Sequence, residues 1–128
     1  MTRVLALDYG SARCGCAVSD PTGTLATPLP VVARPGTEAG LNEIAAVVRD
    51  QEASRVVVGL PVSLSGQEGA QAVEARGFAE QLRAVVEVPV ETWDERFTTR
   101  MAQATPGRHA EDSRAAAHLL QSWLEAHS

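Results

Sequence analysis

Lysine is absent from this chain: all eleven basic side chains are arginines. Chemistry that needs an ammonium is therefore excluded. The phosphate-binding loop G-x-x-x-x-G-K-[ST], a Schiff-base lysine and the strand lysine of a protein kinase cannot be present. Cysteine is scarce as well. Cys14 and Cys16 stand two apart in an alternating segment, so both point to one face of a strand and are poorly placed to bridge. No second pair completes a zinc site. No charged start leads into an apolar segment and no apolar run reaches membrane-spanning length. The expectation is a soluble protein of the reducing cytoplasm with no membrane partner.

What is there fits one domain. At 128 residues folding buries on the order of two-thirds of the unfolded surface, so a core needs neither disulfide nor structural metal, and a single domain over 1–128 is expected. The net charge of -5 makes a poor general polyanion binder, because Lys and Arg neutralising phosphates supply most sequence-independent affinity for nucleic acid. Its distribution matters more than its total. Residues 1–37 carry three Arg and two Asp, 38–91 four Arg and nine acids, and 92–128 four Arg and five acids, so the acid excess belongs to the middle of the chain. A focal nucleic-acid site involving Arg13, Arg96, Arg100, Arg108 or Arg114 stays open, alongside the plainer reading of solvated surface arginines.

Residues 4–9 form an apolar run containing Asp8, and 14–19 alternate until Ser19-Asp20-Pro21-Thr22-Gly23 stops them, which predicts a hairpin. Residues 25–32 read as a third strand, confined to an edge or interrupted by Pro28 and Pro30. Leu41, Ile44, Ala45 and Val48 follow helical spacing over 37–51. The β-branched run from Arg55 to Gly59 predicts a central strand covered on both faces. After a loop over 60–67, Ser65-Gly66-Gln67-Glu68 has capping-box spacing, and Ala75, Phe78, Ala79, Leu82, Val85 and Val86 give a stripe for a helix to about residue 85. A strand over 88–92, a short helix over 97–104, a loop over 105–110 and a final helix with Ala115, Ala116, Leu119, Leu120, Trp123 and Leu124 inward complete the order. A meander followed by strand–helix alternation predicts an α/β fold: one mixed sheet of about five strands with helices on both faces.

Three carboxylates stand out by position. Asp8 closes the first strand, Glu95 follows the strand over 88–92, and Asp112 opens the last helix. In open sheets with parallel strands, sites gather beyond the strand ends, so distant acids can converge there. Three acids without Cys or His would suit a hard cation, Mg²⁺ or Mn²⁺, with waters left for a substrate phosphate. Each acid has a plainer alternative: Asp8 as a turn former, Asp112 as a helix cap, and Glu95 as a complement to the positive end of a helix capped by Asp94. Against the first, an uncompensated charge ending an apolar run is costly.

Four blocks in order carry a family resemblance: Asp8-Tyr9-Gly10 through Arg13, Gly15, Ala17, Ser19 and Asp20; Val58-Gly59-Leu60-Pro61 with Gly66, Phe78 and Leu82; Asp94-Glu95-Arg96-Phe97-Thr98-Thr99; and Asp112-Ser113 with Ala115-Ala116. Together they resemble the YqgF (RuvX) family, over nearly the whole chain. The resemblance implies a ribonuclease H-like fold akin to the Holliday junction resolvase RuvC, and a cytoplasmic nuclease acting on precursor 16S rRNA or on branched DNA. It implies catalytic, metal-binding acids Asp8, Glu95 and Asp112. Arg96, Thr98 and Thr99 would stand beside them, with Arg13, Arg108 and His109 as further nucleic-acid contacts. The stretch from Gly107 to Glu111 departs from the lysine-bearing segment expected there, and Arg108 or His109 takes that place. Two divalent ions about 4 Å apart would activate a water and stabilise the leaving oxygen.

His109, His118 and His127 lack metal spacing, and His118 reads as partly exposed surface. Trp93 reads as strand-end packing or a base-stacking ring, and Trp123 as core or a dimer contact. Two other classes compete. Nucleotide binding of the actin and sugar-kinase type also uses an Asp-x-Gly turn, but clasps ATP between two such domains. A non-catalytic RNA-binding or partner-binding module would gain nothing from retaining three acids. Within the nuclease reading, a four-way junction demands two sites in a two-fold homodimer, whereas ribosomal precursor processing does not.

Overall fold

The computed structural model describes residues 3–61, 69–94 and 111–127, with 111 and 112 described in backbone only. Strands β1 (Val4–Asp8), β2 (Arg13–Ser19) and β3 (Ala26–Ala33) precede helix α1 (Glu38–Asp50), strand β4 (Arg55–Leu60), helix α2 (Ala70–Arg83), strand β5 (Val90–Asp94) and helix α3 (Glu111–Ala126). The five strands form one mixed sheet in the order β3-β2-β1-β4-β5. β1 runs antiparallel to β2 and parallel to β4, and β4 runs parallel to β5. The ladders align Leu29, Cys16, Leu7, Val58 and Thr92 in one row across the sheet.

Side-chain alternation divides the core in two. Leu5 and Leu7 of β1, with Val56 and Val58 of β4, face Ile44 and Val48 of α1 and Phe78 and Leu82 of α2. Val4, Ala6 and Val57 face Leu119, Leu120 and Trp123 of α3. Helices thus cover both faces, which is why the central strands read as continuous apolar runs. Cys14 and Cys16 are free thiols buried on the α1/α2 face, as their spacing predicts. The buried Ser19 hydroxyl accepts from the Val4 amide at 2.8 Å and ties the end of β2 to the start of β1.

β3 lies at the sheet edge, where its prolines cost no ladder bond. The β2–β3 register shifts between Cys14 and Cys16, so that Pro30 and Val31 oppose Gly15, a bulge at the proline that cannot donate. Helix α1 begins as predicted, with the Thr37 hydroxyl accepting from the Gly40 amide at 3.1 Å.

The bounds expected for α2 and for the last strand are corrected. Helix α2 starts at Ala70 behind Gly69, without a side-chain cap; the capping-box residues 65–68 lie outside the described residues. It ends at Arg83, and Val85 is 38% exposed beyond it. The last strand begins at Val90, two residues late, because Pro89 has no amide to give; its carbonyl still accepts from Val56 at 2.9 Å. That strand also runs on through Trp93 and Asp94, so that Asp94 pairs with Leu60. The expected helix over 97–104 and loop over 105–110 lie outside the described residues.

Candidate active site

The parallel strands β1, β4 and β5 all deliver their C-terminal ends to one edge of the sheet. At that edge Asp8 is the last residue of β1, paired with Gly15 of β2 and one step beyond the Leu7–Val58 pair. By alternation it continues the row of Val4 and Ala6, the row that faces α3. The turn that follows it is tight. A Cβ on Gly10 would lie 2.8 Å from the Arg13 carbonyl oxygen, so only glycine lets β1 turn directly into β2.

Asp8 borders a cleft of about 200 Å³ lined by Tyr9, Gly10, Ser11, Pro61, Gln71 and Glu74. Its opposite wall is α2. The Tyr9 ring stacks on Phe78, with centroids 4.7 Å apart and planes inclined by 28°, and the Tyr9 hydroxyl donates to Glu74 Oε1 at 3.5 Å. Burial, and then the Glu74 carboxylate, push the Tyr9 phenol above its usual 10.0, so the hydroxyl is a donor at neutral pH. Among the described residues, the polar groups the cleft presents are carboxylate, hydroxyl and amide, while the thiols are sealed in the core. That donor set suits a hard divalent cation and not a thiophilic one. Among the described residues no three metal-ligating side chains cluster. Asp8 is the member of the expected triad whose side chain is described.

Helix α3 packs over β2, β3 and β1, which brings its first turn, with the backbone of Asp112, to the sheet. The next residue, Ser113, is buried and donates its hydroxyl to the Leu29 carbonyl, in the row that also contains Leu7. Because α3 is helical from Glu111, Asp112 lies within its first turn and does not open it. Arg13 starts β2, exposed, at the same edge as Asp8. Asp94, the residue before Glu95, closes β5. Glu95, Arg96, Thr98, Thr99, Arg108 and His109 lie outside the described residues, as does the side chain of Asp112.

Among the described residues, the tryptophans outside the cleft pack within the protein. Trp93 packs against the α3 face and meets His127 edge-on at 5.3 Å. Trp123 is core, stacked on His127 at 4.0 Å, and donates through Nε1 to Glu91 at 3.2 Å. His118 is half-buried on α3. The sequence reading assigned no role to Ser11, Gln71 or Glu74, which line the cleft from a turn and a helix far apart in the chain.

The family profile described as "RuvX: Holliday junction resolvase" matches residues 2–126. The chain belongs to the RuvX family. Among RuvX relatives, a protein of Anaeromyxobacter sp. (strain Fw109-5) named "Putative pre-16S rRNA nuclease" is 44% identical over 132 residues, covering 96% of each chain. One of the same name from Myxococcus xanthus (strain DK1622) is 38% identical, covering 98% of this chain and 89% of its own. The RuvX chain also superposes on T. thermophilus RuvC, solved in complex with a Holliday junction substrate, with TM-score 0.58 and 18% identity over 99% of this chain and 96% of that one. The Fowlpox virus resolvase, solved with junction DNA, gives TM-score 0.59 at 11% identity over 98% of both chains. At those identities the likeness is one of fold, and the RuvX chain has the ribonuclease H-like fold of RuvC-type resolvases.

Proposed function

We propose that this chain is a divalent-metal-dependent nuclease that hydrolyses phosphodiester bonds of structured nucleic acid, and that its substrate is the 5′ end of precursor 16S rRNA. Membership of the RuvX family and the names of its relatives at 38–44% identity support the activity and the substrate. The observation that carries the site is the position of Asp8: a half-buried carboxylate at the C-terminal edge of a central strand, beside an oxygen-lined cleft.

In this reading 1–128 is one nuclease domain working in the cytoplasm. Asp8, Glu95 and Asp112 hold Mg²⁺ or Mn²⁺. Arg13, Arg96, Arg108 and His109 bind the nucleic-acid backbone, with Thr98 and Thr99 orienting the ligand. The bound ions supply a water activated for attack and charge to offset the leaving oxygen. Asp8 is pre-positioned for its part because β2 pairs with it and β4 pairs with Leu7 just before it. On the α2 wall, Tyr9 held by Phe78 and Glu74 gives the cleft a rigid side. The family's designation as a Holliday junction resolvase favours a second substrate, a four-way DNA junction, which would require a two-fold dimer.

The test is cleavage of labelled precursor rRNA ends and of a four-way DNA junction by wild type and Asp8→Asn, each with Mg²⁺, Mn²⁺ or chelator. Metal-dependent cutting by wild type and none by a folded Asp8→Asn is expected. Equal cutting by both would remove Asp8 from the mechanism, and no cutting by either would leave a binding module.

A further inference from the structure

Among the described residues, two other than glycine adopt left-handed backbone, Arg34 with φ 44° and Glu52 with φ 54°. Glu52 follows the C-cap of α1, where the Glu52 and Ala53 amides donate to Arg49 and Val48 at 3.1 and 3.0 Å. A left-handed residue closing a helix is an ordinary ending. Arg34 closes no helix. It links β3 to α1, and its backbone is locked from both sides: its amide donates to the Ala12 carbonyl at 2.9 Å, while its carbonyl accepts from the Thr37 amide at 3.1 Å and the Thr37 hydroxyl at 2.7 Å. These bonds account for the conformation. They do not account for an arginine there, where glycine or asparagine would relax the strain.

Its place does. The Ala12 carbonyl belongs to the turn that joins Asp8 to Arg13, and Ala33, next to Arg34, is the cross-strand partner of Arg13. Two exposed guanidinium-bearing residues are thus neighbours at the edge where Asp8 ends β1. In the nuclease reading Arg13 binds the nucleic-acid backbone, and Arg34 stands beside it along the same edge of the sheet. The hydrogen bonds Arg34 makes within the described residues are made by its backbone, which leaves a charged side chain on a rigid mount facing solvent.

We infer that Arg34 is a phosphate-binding residue that works with Arg13 to grip the nucleic-acid backbone on the β3 side of the Asp8 cleft. The inference rests on the nuclease reading above. A strained backbone retained at a functional position fits it, and phosphate contacts of this kind fix register and orientation without reading sequence.

Arg34→Gly separates this role from a structural one, because glycine relaxes the backbone while removing the charge. The probe is a fluorescein-labelled RNA joining the 16S 5′ leader to the mature end. Binding is followed by anisotropy without divalent cation at several KCl concentrations, and cleavage of the same RNA is measured with Mg²⁺. Arg34→Gly should bind roughly five- to tenfold more weakly, with the slope of log K against log[salt] shallower by about 0.7–0.9 and a melting temperature equal to or above that of wild type. Arg34→Lys should keep the slope. Wild-type affinity and slope in Arg34→Gly, while wild type binds and cuts, would overturn the inference alone. Weakened binding shared by Arg34→Lys, with a lowered melting temperature in both variants, would assign Arg34 a structural role and also overturn it. Wild type that neither binds nor cuts the RNA would overturn the nuclease reading for this substrate, and the inference with it.

Discussion

The hydroxyl of Ser113, in the first turn of α3, donates to the backbone carbonyl of Leu29 in the edge strand, 84 residues away in the chain. Ser113 is 6% exposed, so this bond is the polar pin that sets where α3 meets the sheet. Ser113→Ala removes a donor from the part-buried Leu29 carbonyl and should cost about 1 kcal/mol, read as a lower urea midpoint at unchanged m-value. Because Asp112 precedes Ser113, cleavage measured well below the melting temperature should fall as well. Loss of stability with full activity would show that the pin does not position the helix terminus for chemistry.

Tyr9 is the chain's single tyrosine, so a spectrophotometric titration reads it without deconvolution. Burial comes first and the Glu74 carboxylate second in raising its phenol above 10.0. The midpoint in metal-free buffer should therefore lie above 10, and Glu74→Gln should lower it without returning it fully to the unfolded value. The sign for stability follows: a raised folded pKa means the native state holds the proton longer, so the contribution is complete below pH 10 and lost as pH rises through the folded midpoint. A midpoint at or below 10 in folded protein would contradict the packing of Tyr9 against Phe78 and Glu74.

The sheet was largely legible because its strands announce themselves by composition. Val56, Val57 and Val58 could be buried on both faces only in a central strand, and Pro28 and Pro30 could be tolerated only at an edge. The place of Asp8 at the end of β1 was legible for a related reason, as a charge ending an apolar run. Boundaries slipped where one local signal masked another: the capping-box spacing at Ser65 drew the start of α2 too early, and Val88 suggested a strand before Pro89 had been allowed to delay it. Glu74 and Gln71 were illegible because they read as the exposed face of an amphipathic helix. They join Asp8 only once α2 packs across the sheet, and no local pattern encodes that placement. Ser113 resembled a helix-terminus residue, and nothing near it in sequence points to the Leu29 carbonyl.

Gly40 offers a test of the mount that holds Arg34. A Cβ there would fall 2.1 Å from the Arg34 carbonyl oxygen and 2.7 Å from the Pro35 Cα, both main-chain atoms that cannot rotate away. Although alanine is the better helix former, Gly40→Ala should destabilise by about 1–3 kcal/mol or more, read in urea, by forcing α1 away from the β3–α1 turn. A more stable Gly40→Ala would mean that the turn yields freely and that the bonds at Arg34 hold it loosely.

Asp20 should make part of the fold's stability pH-dependent at the acid end. Its carboxylate accepts from the Thr24 and Leu25 amides, both at 2.9 Å, and from the Thr22 hydroxyl, closing the turn between β2 and β3. The Leu25 amide first, then the Thr22 hydroxyl, hold its pKa far below the ordinary carboxylate value of 3.8. Between the folded and unfolded pKa values the unfolded chain binds the extra proton. The stabilisation is therefore full at neutral pH and declines as pH falls below about 3.8. Asp20→Ala should melt below wild type at pH 7, and the gap between the two should close steadily as the pH is lowered through that range. A gap that stayed constant down to pH 2 would show that the turn is held by its backbone bonds, Gly23 to Asp20 at 2.9 Å and Asp20 to Leu25 at 3.0 Å, and not by the ionised side chain.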